Sequence, residues 1–172
     1  MVINQKTVYL TWFDSYSENL TDFPRNGTIA GNVVRKLRNE LWNLKIDEIM
    51  NKKEIARQYI THLENGNVGQ VVALFNQNGM VDSPLYGIKK ADEFYRELNN
   101  DTSNSELHLK GIFEDIESND LALYFTYKWT LKNNQKVEFD VVDIIEFDNQ
   151  NKISKLKIIY DTVTARKLVE QL

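Results

Sequence analysis

The chain has 172 residues, 42% of them hydrophobic and 27% charged, with a formal net charge of −4 and no cysteine. That size and balance describe a globular domain with a real core and some added segment. The acidic charge argues against nucleic acid as a partner, the missing cysteines exclude disulfides and thiolate chemistry, and no apolar run approaches the roughly 20 residues of a membrane helix.

The first part, residues 1–49, reads as an N-terminal extension. "TVYLTWFDSY" fits a strand or a helix, and "FPRNG" is a turn signal. Ala30, Val33, Val34, Leu37, Leu41 and Leu44 then recur at helical spacing, which predicts an amphipathic helix whose stripe lies on the main domain or on a second subunit. The main domain, residues 50–172, opens at "NKKE", where Asn51 with Glu54 three residues on is a variant of the capping box. Ile55, Ala56, Tyr59, Ile60 and Leu63 would be the buried face of that helix, and "ENGN" its end. A shorter helix carries Val68, Val71, Val72 and Phe75, "GMVDSP" is a short strand stopped by Pro84, and "KKADEFYREL" is a third helix with Ala91, Phe94, Tyr95 and Leu98 on one side.

Long strands follow, separated by turn signals. "ELHLKGIFEDIE", "LALYFTYKWTL", "VEFDVVDIIEF" and "ISKLKIIYD" form hairpins and hence an antiparallel sheet, and "TARKLVEQL" closes the chain as a short helix. Helices followed by hairpins give an α+β domain, with helices against one face of the sheet. Strong bending of that sheet needs bulges or glycines, for which Gly111 is a candidate, and leaves an internal pocket. No secretory signal opens the sequence, so the cytoplasm is the expected compartment, and the sequons at Asn19, Asn26 and Asn100 are chance matches.

One residue breaks its pattern. Period-2 alternation sets Val137, Phe139, Val141, Asp143, Ile145 and Phe147 on the same strand face, and Asp143 is the only polar member. A carboxyl group there must be bonded, paired or protonated. It is either a structural Asp or a functional group facing a pocket. Tyr59 and Tyr95 sit mid-face on their helices and need hydroxyl partners, in a core or in a site. Phe125, Tyr127 and Trp129 share a strand face, as core or as a pocket wall. His62 and His108 have no metal-ligand spacing, and no phosphate loop, dinucleotide fingerprint or nucleophile elbow is present, so neither metal nor cofactor is expected.

"ARQYITHLENGNVGQVVALFNQNGMVDSPLYG", "EFYREL" and "FDVVDIIEFDNQNKISKLKIIYD" together resemble the nuclear transport factor two-like superfamily, nearest its ketosteroid isomerase and SnoaL-like polyketide cyclase branch, over about residues 51–165. The resemblance implies a cone-like α+β barrel, its bent sheet wrapped around the N-terminal helices, and a homodimer formed through the sheet, where Val142 and Ile144 make an apolar middle between Asp140 and Glu146. It sets Tyr59 on the isomerase tyrosine that donates to the substrate oxyanion, Asp143 on the protonated aspartate that is the second donor, and Tyr95 on the tyrosine supporting the first. The isomerase's proton-transferring aspartate precedes the proline, and here that residue is Ser83. Asp82 is one residue away and so points to the other strand face.

Asp161 in "IIYD" resembles an acid/base carboxylate of the cyclases, although an acidic residue just before "TVTAR" is also a helix cap. Ser83, Phe75 and Trp129 are the expected ligand contacts. Three functions compete on this reading. The first is an enzyme polarising a small hydrophobic carbonyl compound with Tyr59 and Asp143; the second is a pocket that binds without turnover; the third is a dimerisation module.

Overall fold

A computed structural model of the chain describes residues 29–172 except 116 and 119, and the backbone alone at 29–31 and 45–50. The segments "TVYLTWFDSY" and "FPRNG" lie outside the described residues. Contacts separate the chain into two units, Met1–Ile46 and Asp47–Leu172, and each is described by itself.

Helix α1 spans Ile29–Glu64. Asn51 is therefore an interior helical residue and not the expected cap. The reason is compositional: between Gly31 and Gly66 the sequence holds no glycine or proline, so nothing interrupts the helix. The end comes where "ENGN" signalled it. Gly66 takes φ +65°, and the Asn67 N–H donates back to the His62 carbonyl at 2.9 Å. Short helix α2, Val68–Ala73, follows, then β1 (Phe75–Ser83), β2 (Gly87–Lys90), α3 (Ala91–Asp101), β3 (Thr102–Glu114), β4 (Leu121–Leu131), β5 (Lys136–Phe147), β6 (Ile153–Ile159) and α4 (Val163–Val169).

The strands form one six-stranded sheet in the order β2-β1-β6-β5-β4-β3. The expected hairpins β3–β4, β4–β5 and β5–β6 are antiparallel. Two features differ from the sequence reading. First, β1 pairs with β6 in parallel, joining the N-terminal strand to the last one, a long-range pairing that hairpin logic does not reach. Second, Lys89 and Lys90 do not open the helix but end the strand "GIKK", which pairs with β1 across the Pro84 turn, so α3 begins at Ala91.

Bending has identifiable causes. The β3–β4 register shifts between Leu109 and Gly111, the glycine singled out for a bulge, and the β1–β6 register shifts between Phe75 and Met80, around Gly79. The core of the second unit lies between the inner face of this curled sheet and the helices. Leu123, Phe125, Trp129, Val141, Ile145 and Leu156 come from the sheet, Ala56, Tyr59 and Ile60 from α1, and Phe94 and Tyr95 from α3. The architecture is the expected α+β cone.

Candidate functional site

Helical spacing puts Ala56, Tyr59, Ile60 and Leu63 on one face of α1, and the first three are buried. Tyr59 reaches the sheet at β5. Its hydroxyl donates to Asp143 Oδ2 at 3.0 Å, and the Tyr95 hydroxyl donates to the Tyr59 oxygen at 3.3 Å. The two tyrosine rings meet edge-on, with centroids 6.3 Å apart. These groups stand in series: Tyr95 to Tyr59 to Asp143.

Asp143 is 1% exposed and lies between Leu123 of β4 and Ile158 of β6 in the register. Burial pushes its carboxyl up to about 7, opposed by the Tyr59 hydrogen bond, which favours the ionised form. Burial, reinforced by the Asp143 charge, raises the Tyr59 hydroxyl well above its ordinary value. Burial likewise raises Tyr95, so both tyrosines are neutral donors at any ordinary pH. Asp143 Oδ1 is buried without a hydrogen-bond partner among the described residues. A buried polar oxygen in that state costs free energy unless a proton, a water or a ligand answers it.

Tyr59 and Asp143 line a cavity of about 40 Å³. Ser83 and Tyr86 close it from the β1–β2 turn, Phe94 and Leu98 from α3, and Tyr127, Trp129, Phe139 and Tyr160 from the sheet side. The aromatic wall is held by ring stacking, Phe139 on Tyr160 at 4.5 Å and Tyr127 on Trp129 at 6.1 Å. Trp129 is further fixed by its indole N–H, which donates to Thr102 Oγ1 at 2.7 Å. The volume suits one or two waters. A larger occupant needs lining side chains to move, and Tyr86 and Tyr160 among them are half-buried.

The expected site residues divide into two groups. Tyr59, Asp143, Tyr95, Ser83 and Trp129 converge around the cavity or its hydrogen-bond relay. Phe75 does not line it. It opens β1 rather than ending a helix, and its ring packs on Tyr95 at 5.7 Å, which makes it a support for the relay. Asp161 is exposed beyond the end of β6, and its Oδ1 accepts the Val163 N–H at 2.9 Å, so it braces the entry to α4 just ahead of the N-cap Thr162. Ser83 Oγ accepts the backbone N–H groups of Leu85 and Tyr86, each at 3.3 Å, and so holds the turn that carries Tyr86.

Tyr86 and Tyr160 are cavity residues that the sequence reading did not select. Tyr160 shares the alternation of Ile158, which was visible, whereas Tyr86 follows a proline turn and carries no periodic signal. Asp143 is the one carboxyl group among the residues lining the cavity. Among the described residues no cluster of metal-ligating side chains occurs, and no helix is long and apolar enough to cross a membrane.

No family model and no curated protein matches this sequence. Solved structures do match it in shape. The epoxide hydrolase/cyclase-like enzyme SalBIII, of pyran ring formation in salinomycin, aligns over 65% of this chain and 92% of its own, at 15% identity and a TM-score of 0.58. TerC, co-crystallised with polyporic acid, aligns over 70% of this chain and 98% of its own, at 15% identity and a TM-score of 0.60. A nuclear transport factor two-like protein of unknown function from Burkholderia pseudomallei aligns over 69% and 97%, at 18% identity and a TM-score of 0.61. Identities this low speak to architecture alone, and on that point they agree: the chain has the nuclear transport factor two-like fold.

Proposed function

We propose that the chain is a SnoaL-like protein whose cavity takes a small hydrophobic, carbonyl-containing compound, with protonated Asp143 donating to the carbonyl oxygen. The observation that carries this is the unpartnered Asp143 Oδ1 on the cavity wall, backed by Tyr59 and Tyr95. A carboxyl near 7 holds its proton in a good fraction of molecules at neutral pH, and donation from a dry site is strong. Tyr59 acts through Asp143 at rest and gains direct access to the ligand oxygen if the carbonyl inserts between them. Trp129 and the aromatic wall supply apolar fit, Ser83 lines the site and holds the turn that carries Tyr86, and Phe75 steadies Tyr95. Polarising a carbonyl in this way serves a cofactor-independent cyclisation or isomerisation in which a group of the substrate itself moves the proton. The relation in shape to a cyclase-like enzyme and to a protein co-crystallised with polyporic acid accords with a small-molecule site.

A second reading, binding without turnover, is favoured by one specific feature. The lining holds a single carboxyl group, and both other candidates for proton transfer, Ser83 and Asp161, are engaged in holding backbone. The test is a panel of small cyclic enones and ketones assayed for binding by NMR shift perturbation and for turnover by absorbance. Binding that Asp143→Leu abolishes supports the site, and turnover decides between the readings. If no member of the panel perturbs the signals of Tyr59, Asp143 or Trp129, the carbonyl site is wrong.

We also propose a cytoplasmic homodimer through the outer sheet face. The register sets Tyr124, Val142 and Ile159 side by side, with Ala122, Ile144 and Lys157 in the adjacent row. Phe113 and Ile159 are 60% and 48% exposed, so this face offers apolar area to a second copy.

A further inference from the structure

None of the residues of the apolar stripe near the start of α1 is among those lining the cavity. Val33, Leu37, Leu41 and Leu44 are 51%, 53%, 67% and 66% exposed, on a helix whose other exposed positions there are charged or amide side chains. Scattered exposed leucines need no explanation, but a row of them at alternating four- and three-residue spacing does. In sequence, Ala30, Val34, Leu37, Leu41 and Leu44 follow that spacing, which is the heptad seam of a coiled coil. The next position in the series is Glu48, a charge that two facing copies would not bury, so the seam ends at Leu44.

The chemistry of the seam and its flanks selects a geometry. Val34 and Leu41 fall at a, and Ala30, Leu37 and Leu44 at d; valine at a with leucine at d suits two parallel strands. The flanks decide the direction more sharply. Glu40 occupies g and Lys45 the following e, so a parallel, in-register pair sets Glu40 of one copy against Lys45 of the other. An antiparallel pair that faces Leu37 with Leu41 and Val34 with Leu44 would instead bring Arg38 against Arg38 and Glu40 against Glu40. Like charges then meet on both flanks.

We propose that residues 30–44 pair with the same segment of a second copy as a short, parallel, two-stranded coiled coil. Its residues are other than those of the cavity and of the outer sheet face. Two heptads are too few to hold a dimer alone, so the seam works with a second contact between the same copies or at high local concentration.

Because the chain has no cysteine, a single introduced one reports the pairing directly. In the full-length protein, Leu44→Cys at position d faces its own counterpart in a parallel pair, whereas Asn39→Cys at position f points away. Under mild oxidation the expected result is rapid disulfide dimer for Leu44→Cys and little for Asn39→Cys. Adding Leu41→Glu to Leu44→Cys should abolish the cross-link at unchanged far-ultraviolet circular dichroism. Absence of the Leu44→Cys cross-link, equal cross-linking of both variants, or insensitivity to Leu41→Glu would each overturn the proposal. An antiparallel pair, or coverage of the stripe by the chain preceding Ile29, gives the first of these results.

Discussion

The Tyr59 hydroxyl and the Asp143 carboxylate, 84 residues apart in sequence, meet at 3.0 Å inside the core. The contact ties helix α1 to strand β5, and its weight depends on pH. Asp143 titrates at about 7 in the folded chain because it is buried, against about 3.9 when unfolded. The folded state therefore binds the extra proton between those two values. Stability from this group is fully present below about pH 4 and is lost as pH rises through about 7, by an amount on the order of 4 kcal/mol. Asp143→Asn keeps the shape and still accepts from Tyr59, but it cannot ionise. Urea unfolding from pH 4.5 to 8 should show a falling stability in the wild type that is absent in this variant, leaving Asp143→Asn the more stable protein at pH 8. Parallel curves for the two proteins would place the titration elsewhere.

Removing the tyrosine hydroxyl should move the carboxyl in a definite direction. The Tyr59 hydrogen bond lowers the Asp143 pKa against the effect of burial. Tyr59→Phe should therefore raise it above about 7, and cost roughly 1–2 kcal/mol of stability because Tyr95 loses its acceptor as well. Carboxyl titration by NMR measures the first effect and denaturant unfolding the second. An Asp143 pKa that stays put or falls would show the two groups to be uncoupled in solution.

The two bulge glycines should respond differently to the same substitution. A Cβ on Gly79 would come within 2.7 Å of Phe75 Cδ1 and 2.8 Å of its Cβ, and Phe75 is buried beneath Tyr95. A Cβ on Gly111 would meet the far edge of the Phe113 ring at 2.9 Å, and that ring is exposed enough to swing away. Gly79→Ala should cost about 1–3 kcal/mol and Gly111→Ala less than about 1, read from urea midpoints. The reverse order would mean that the bend at β3, not β1, is the rigid one.

Both proposed contacts between copies predict a pattern of masses by light scattering. With the helix seam disabled by Leu41→Glu, the sheet face should still hold a dimer. Adding Ile144→Lys, which sets a second positive charge beside Lys157 on the outer face, should yield a monomer. A monomer from Leu41→Glu alone, or a dimer from the double variant, would dismiss the sheet face as an interface.

What was legible in the sequence follows from how local each signal is. Asp143 stood out because period-2 alternation along β5 needs only the strand itself, and Tyr59 and Tyr95 because helical spacing is equally local. The parallel β1–β6 pair was not legible, since its partners are separated by the whole sheet and no turn announces it. Asn51 misled for a related reason: a cap motif is only a preference, and an uninterrupted run of helix formers on both sides overrides it. Asp161 carried two local meanings, and the hydrogen bond from the Val163 N–H gives it a part in the entry to the terminal helix, one residue before the N-cap Thr162. Tyr86 was out of reach because turn geometry, not periodicity, aims it at the cavity.

Ser83 occupies the position resembling the isomerase base and lines the same cavity as Asp143. The wild-type protein should show negligible double-bond isomerisation of a small enone, and Ser83→Asp should create measurable activity. A serine hydroxyl is too weak a base to take a proton next to a carbonyl, whereas a carboxylate, made more basic by burial at this position, is suited to it. The variant should fold, because an Asp side chain accepts the Leu85 and Tyr86 N–H groups as Ser83 Oγ does. A new negative charge in the cavity also disfavours ionisation of Asp143, keeping the proton that polarises the carbonyl. General-base transfer typically contributes about 100- to 10,000-fold, enough to rise above background in a continuous absorbance assay. Ser83→Asn, with the same shape and no basicity, should stay inactive. If the wild type already isomerises the probe as fast as Ser83→Asp, the base lies elsewhere and the correspondence at "VDSP" is wrong.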